Sequence, residues 1–271
     1  MSKMNNREKV KKILLTGGAA GVIAGVIVTL IISTTVLSGK ERKLSSQNTK
    51  LKAQVEKLQS QLDEKQSQET ALADPAELLK GDTDQWSLAL VNEKHPLDTS
   101  YEPAELTTVD SDKQVDSRIA ESLNKMLEDG KKAGLSMYVT SAYRSYDRQC
   151  EVFNATMQDW ISQGYTPLSA YDETKKSVAV PGTSEHATGL AVDIISTEYS
   201  ELDDQQGDTE EQKWLMEHCY EYGFILRFPK DKSDVTGIVY EPWHYRYVGT
   251  DAAKAIQEKG ITLEEYVGAT E

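Results

Sequence analysis

Asp193 lies inside the apolar run Gly189-Leu190-Ala191-Val192-Asp193-Ile194-Ile195. A carboxylate buried in such a run is costly unless it pairs with a cation or binds a metal. His186 stands seven positions earlier, in the turn-like segment Pro181-Gly182-Thr183-Ser184-Glu185-His186. Roughly fifty residues later comes Glu241-Pro242-Trp243-His244-Tyr245. Two histidines and one aspartate are a workable ligand set for Zn2+, with a fourth position left to water. Two neutral imidazoles and one carboxylate leave such a site net positive, which acidifies a water to a pKa of about 7 and polarises a carbonyl. Glu241, three residues before His244, is then the candidate general base. In a regular strand these two side chains would point to opposite faces. Pro242 lacks a ladder donor and marks a bend or a strand start, so this segment must depart from ideal pleating. Spacing alone is a weak signal, since a lone His-x6-Asp pair is more often structural.

These residues fall in the stretch 84–271, a normal length for one domain. Val115, Ile119, Leu123, Met126 and Leu127 form a helical stripe that stops near Gly130. Residues 136–141 read as a strand. Val152, Phe153, Met157, Trp160 and Ile161 mark a second helix ending near Gly164, and 189–195 reads as a buried strand. Asp208 or Thr209 caps a third helix carrying Trp214, Leu215, Cys219 and Tyr222, with Gly223 at its end. Residues 224–228 and 238–240 read as strands, and Thr250 caps a C-terminal helix that stops near Gly260. Helices and strands intersperse without regular alternation, which predicts an α+β fold with a small antiparallel sheet and flanking helices. His218 and His95 read as structural histidines, Arg246 and Tyr247 as supporting residues, and the acidic stretch 198–208 as solvated loop. Cys150 and Cys219 fall on predicted helices and could pair in an oxidising compartment, their separation being open.

The rest of the chain is sorted by composition. Its 271 residues carry a formal charge of −14, which argues against nucleic-acid binding, where a basic footprint is needed. Two cysteines are too few for a disulfide-dense scaffold or a Cys-only zinc module. Residues 13–39 carry no charge and would reach roughly 40 Å as a helix, enough to span a bilayer with some tilt. The run is long for a signal peptide, and no convincing small-residue cleavage site ends it. Residues 1–12 hold Lys3, Arg7, Lys9, Lys11 and Lys12 against Glu8, so this tail is expected to be cytoplasmic and the remainder extracellular. Gly17, Gly21 and Gly25 share one helix face and would allow close helix approach. Residues 40–73 read as a helical stalk, with Leu44, Leu51 and Leu58 every seventh position and Asn48, Val55 and Leu62 between them. That is a short coiled-coil seam, compatible with a homodimer through anchor and stalk or with a single solvated spacer helix. Asp74-Pro75 ends the pattern, and 74–83 reads as a polar linker.

Three ordered blocks resemble one family. They are Ser141-Ala142-Tyr143-Arg144-Ser145-Tyr146, then Ser184-Glu185-His186-x-x-Gly189-Leu190-Ala191-x-Asp193, then Glu241-Pro242-Trp243-His244-Tyr245-Arg246-Tyr247. Together with Leu90-Val91-Asn92 and His95-Pro96-Leu97, they are similar to the VanY-type D-alanyl-D-alanine carboxypeptidases and their LD-carboxypeptidase relatives, over roughly residues 84–250. The resemblance implies a small α+β zinc-peptidase domain, with Zn2+ held by His186, Asp193 and His244 and with Glu241 as catalytic base and acid. It implies that Arg144 faces the substrate, that Gln149 and Ser184 line its pocket, and that Tyr143 and Trp243 shape the walls. The expected substrate is the C-terminal D-alanine of peptidoglycan stem peptides, cut with DD or LD specificity. Two alternatives are an endopeptidase of the same fold and a non-catalytic envelope scaffold. Ala142 stands where the family often has Gly, and Ala187 where it often has a longer polar residue. Neither is a ligand or the base, and Ala187 bears on substrate contacts.

Overall fold

A computed structural model of the chain describes residues 49–50, 52–58, 74–80 and 85–270. Residues 52–58 are helical, with Val55 and Leu58 exposed. The anchor at 13–39 and the seam positions Leu44, Asn48, Leu51 and Leu62 lie outside the described residues. Among the described residues no helix is long and apolar enough to cross a membrane.

The catalytic unit starts within the stretch read as a linker. Asp74 accepts a hydrogen bond from the Ala76 amide at 2.8 Å, and Pro75 opens helix α1 (Pro75–Lys80), where its missing N–H costs nothing. Ala76 and Leu79 of α1 enter the main core. A short hairpin follows, β1 (Leu106–Thr108) against β2 (Gln114–Asp116). Val115 belongs to β2, and the helix α2 (Ala120–Lys132) begins only after it. The apparent stripe reached back to Val115 because a buried strand residue happened to fall at helical spacing.

The central sheet has the order β3-β4-β6-β5 and is antiparallel throughout: β3 is Met137–Ser141, β4 Ala191–Ser196, β5 Phe224–Phe228 and β6 Glu241–Tyr247. The predicted strand at 238–240 is not one. The strand starts at Glu241, and the preceding residues leave the short helix α6 (Ser233–Thr236) through a turn at Gly237. Between β3 and β4 run two helices. The helix α3 (Tyr146–Ser162) is capped by Ser145. The sequence reading missed α4 (Pro167–Thr174), although Thr166 caps it and Pro167 opens it. The helix α5 (Glu210–His218), capped by Thr209, precedes β5, and α7 (Thr250–Lys259) and α8 (Leu263–Val267) close the chain.

Period-two alternation gives the sheet two different faces. Val192, Ile194, Phe224 and Tyr245 join Leu123 and Met126 of α2 and Leu215 of α5 in the main core. On the other face Asp193 and His244 meet as cross-strand partners. Ile225 instead packs with Ala253 and Ile256 of α7 and Leu263 and Val267 of α8 in a second cluster. Cys150 and Cys219 are free thiols, so the pairing open in the sequence is not made. Burial pushes the Cys219 thiol up to about 12.

Candidate metal centre and substrate cavity

The site is built where two strands break register. Between Leu226↔Tyr245 and Phe228↔Glu241, β6 advances four residues while β5 advances two. The extra residues bend β6 at Pro242, where no ladder donor is lost. The bulge lets Glu241 and His244 share one face, the departure from pleating that their spacing requires. His244 Nδ1 lies 3.9 Å from Glu241 Oε2 and 2.9 Å from Asp193 Oδ1. A second irregularity falls between Val139 and Ser141 of β3, beside Asp193, just before the chain turns into the Arg144 segment.

His186 comes from the 3-10 turn Glu185–Thr188, which ends at Gly189 in the left-handed region at φ +72°. A Cβ at Gly189 would lie 2.7 Å from the Asp116 amide nitrogen, so only glycine lets the turn sit against the hairpin. His186 Nδ1 donates to the Ala142 carbonyl at 2.7 Å. That bond fixes the tautomer and aims Nε2 at Asp193 Oδ2, 3.2 Å away. His186, Asp193 and His244 are all buried, and one ligand atom from each lies within 4.8 Å of the others. Two imidazole nitrogens and one carboxylate oxygen, with one imidazole already held by a backbone carbonyl, fit a zinc ion.

The charges around the trio settle its protonation in the metal-free protein. Burial pushes the Asp193 carboxyl up, but the two imidazoles outweigh it and hold the group well below the usual carboxylate range. Burial and the neighbouring Arg144 guanidinium push His186 down to about 4. Burial also disfavours charge on His244, yet its bond to Asp193 and the nearby Glu185 carboxylate prevail and raise it to about 9. Asp193 therefore supports one imidazolium, on His244. Burial lifts Glu241 to about 8, with Asp193 adding to the effect and His244 opposing it. A carboxylate tuned toward neutrality is suited to exchanging a proton near pH 7.

One cavity of about 640 Å³ reaches all three ligands together with Glu241, Arg144, Gln149, Ser184 and Trp243. Arg144 Nη2 stands 3.9 Å from Asp193 Oδ2, and its Nε is buried without a partner. Gln149 donates from Nε2 to the Ala179 carbonyl at 2.7 Å, while its Oε1 is buried and unpaired. Tyr143 is the exception among the expected pocket residues, for it does not line the cavity. Ala142 O and Arg144 N both bond to His186, whereas Tyr143 N donates to Gln114 O. Burial and the Glu102 carboxylate raise the Tyr143 phenol pKa.

The sequence reading gave no role to a buried ionic network behind His244. Glu185 Oε1 accepts from Arg227 Nε and Arg246 Nη1, each at 2.8 Å. Arg227 forks onto Glu264 of α8 at 2.9 and 2.6 Å. Arg246 also donates to the carbonyls of Ser87 and Ala89 at 3.0 and 2.8 Å. Burial would raise Glu185, but the two guanidiniums hold it well below the carboxylate range. Only the clustering of charges on apolar strands hinted at this network.

A buried nitrogen–oxygen trio opening onto a cavity, with a proton acceptor beside it, is the equipment of a zinc peptidase. The family model VanY, described as D-alanyl-D-alanine carboxypeptidase, matches residues 112–250, and the chain belongs to that family of zinc-dependent carboxypeptidases. A D-alanyl-D-alanine carboxypeptidase of Enterococcus faecalis is 39% identical over 200 residues, covering 74% of this chain and 72% of that protein. The structure of a vancomycin resistance D,D-pentapeptidase VanY in complex with Zn(II) superposes with a TM-score of 0.61 at 39% identity, over 67% of this chain and 99% of that one. The LdcB LD-carboxypeptidase structure gives a TM-score of 0.60 at 38% identity, over 70% of this chain and 89% of its own.

Proposed function

We propose that the chain removes the C-terminal D-alanine from peptidoglycan stem peptides. The observation that carries this is Arg144, whose partnerless buried Nε and nearby Nη2 place a cation in the cavity holding Glu241 and the ligand trio. A guanidinium there can hold a peptide's terminal carboxylate or the negative charge that develops on the scissile carbonyl. Binding of a chain end favours an exopeptidase over an endopeptidase, and a complete acid–base set has no use in a scaffold.

His186, Asp193 and His244 would hold the zinc. When bound, the ion supplies Lewis-acid polarisation of the scissile carbonyl and makes a water more acidic. Glu241 takes a proton from the attacking water as the new C–O bond forms. It returns that proton to the amine nitrogen as the C–N bond breaks, and the second proton of the water, released by the new carboxyl group, follows it, so D-alanine leaves as the zwitterion and the shortened peptide keeps a carboxylate. Gln149 Oε1, fixed through its own amide to Ala179, would accept an N–H from the substrate, with Ser184 and Trp243 completing the walls.

Residues 13–39 would anchor this domain in the cell membrane, with 1–12 cytoplasmic and the catalytic domain extracellular. Residues 40–73 would act as a helical stalk and a homodimer contact. The pentapeptide ending in D-Ala-D-Ala is the first substrate. The tetrapeptide is the second, because the LD-carboxypeptidase neighbour is as similar as the D,D-pentapeptidase one. Mass spectrometry of the zinc-loaded protein with each peptide tests the proposal, beside Glu241→Gln. Loss of one D-alanine from either peptide is expected, falling by a factor of about 10²–10⁴ in the variant. Two intact peptides in the presence of bound zinc would overturn the exopeptidase reading.

A further inference from the structure

Two buried polar atoms that lack partners face each other behind the metal trio: Glu185 Oε2 and His244 Nε2, 3.6 Å apart. Every other contact in their surroundings leaves them for one another. Glu185 Oε1 is already committed to Arg227 and Arg246. His244 Nδ1 points to Asp193 and Glu241, the ligand side. The ring centroids of Phe228 and His186 lie 4.8 and 4.9 Å from that of the imidazole, so the ring has few other orientations. Two carboxylates and two guanidiniums balance in charge, and Arg227 and Arg246 are almost fully buried. Replacing either charge alone would strand the others.

We infer that Glu185 is a positioning residue for His244: it accepts the Nε2–H hydrogen bond, fixing the tautomer that presents Nδ1 to zinc. A shift of a few tenths of an ångström brings the pair within hydrogen-bond range. Glu264 on α8 grips Arg227, Arg227 grips Glu185, and Glu185 meets the ligand. The inference rests on the metal-site reading, and its test separates the two.

The experiment uses the full chain, with Zn2+ titrated against a competing chelator and the imidazole nitrogens followed by 15N NMR. Glu185→Gln and Glu185→Asp are compared with Glu264→Gln and His186→Ala. Aspartate keeps the charge facing the arginines but shortens the reach to His244, so it serves if glutamine prevents folding. The inference expects both Glu185 variants to weaken zinc binding about 10–100-fold and to lose the Nε2-protonated signature of His244. Glu264→Gln should lower the melting temperature and leave zinc affinity within about threefold. Unchanged zinc affinity and tautomer in the Glu185 variants would overturn it. So would an equal loss in Glu264→Gln, which would mark a general loosening. Wild-type zinc affinity in His186→Ala would overturn the metal site itself, and this inference with it.

Discussion

At the scale of single residues, the two histidines differ because their neighbours differ. His186 lies beside Arg144 and is neutral at any pH above about 4, whereas His244, bonded to Asp193, keeps its proton to about 9 in the metal-free protein. A metal ligand must give that proton up, so protons compete with zinc through His244 and not through His186. Apparent zinc affinity should rise by about tenfold per pH unit for each proton released between pH 6 and 8. Chelator competition in unbuffered solution should record acidification on loading. A flat affinity over that range would show that His244 is already neutral. The trio that could hold a metal and the glutamate beside it were readable in the chain because each sits in a short block with its own anomaly: a charge in an apolar strand, a histidine in a glycine turn, a glutamate before proline. Glu185, in a turn, and Arg227, on a strand, give no such signal, because a charged residue predicts solvent and only tertiary structure shows that it has a buried partner. Tyr143, expected on the pocket wall, does not line the cavity, in keeping with the alternation of neighbours in an extended segment.

At the scale of elements, position depends on irregularity. Gly189 closes the turn that bears His186 and touches the hairpin residue Asp116, whose amide donates to the Gly189 carbonyl at 3.0 Å. Gly189→Ala combines a left-handed backbone with a Cβ against a main-chain nitrogen. It should cost about 2–4 kcal/mol, lowering the melting temperature by about 5–15 °C for a domain of this size. Calorimetry with and without zinc would read it, and a shift under 2 °C would mean that the hairpin gives way. Helix ends were legible from local chemistry at Thr209 and Gly260, whereas Thr250 is the first residue of its helix and Gly249 holds the cap position without a side-chain bond. The strand misplaced to 238–240 shows the limit: an apolar triplet after a glycine reads as a strand, but β6 is defined by its partners β4 and β5, which are distant in sequence.

At the scale of the whole molecule, net charge bears on how the chain would reach its substrate. With a formal charge of −14 it gains nothing from general attraction to anionic surfaces, and the proposed anchor would supply proximity instead. Expressed whole, the protein should sediment with membranes and resist salt extraction, and removal of residues 1–39 should free it without changing kcat on a soluble peptide. Salt-released full-length protein would contradict the anchor. The domain's entry is itself held firmly. Trp86 stacks on Tyr247 at 5.7 Å and lies under the Arg118 guanidinium at 3.9 Å, and Arg246 ties the carbonyls of Ser87 and Ala89 to the strand that carries His244. Residues 86–89 are thus part of the domain's scaffold, and truncation beyond Trp86 should reduce stability.

The register break in β6 carries an evolutionary consequence. Glu241 and His244 share a face only because the strand carries extra residues there. Loss of the two codons between them, Pro242 and Trp243, would make the glutamate and the histidine neighbours on opposite faces and leave His244 opposite Asp193. The descendant would still grip its ion and its peptide end but could no longer break the bond. Enzyme and wall receptor are, in this fold, one deletion apart.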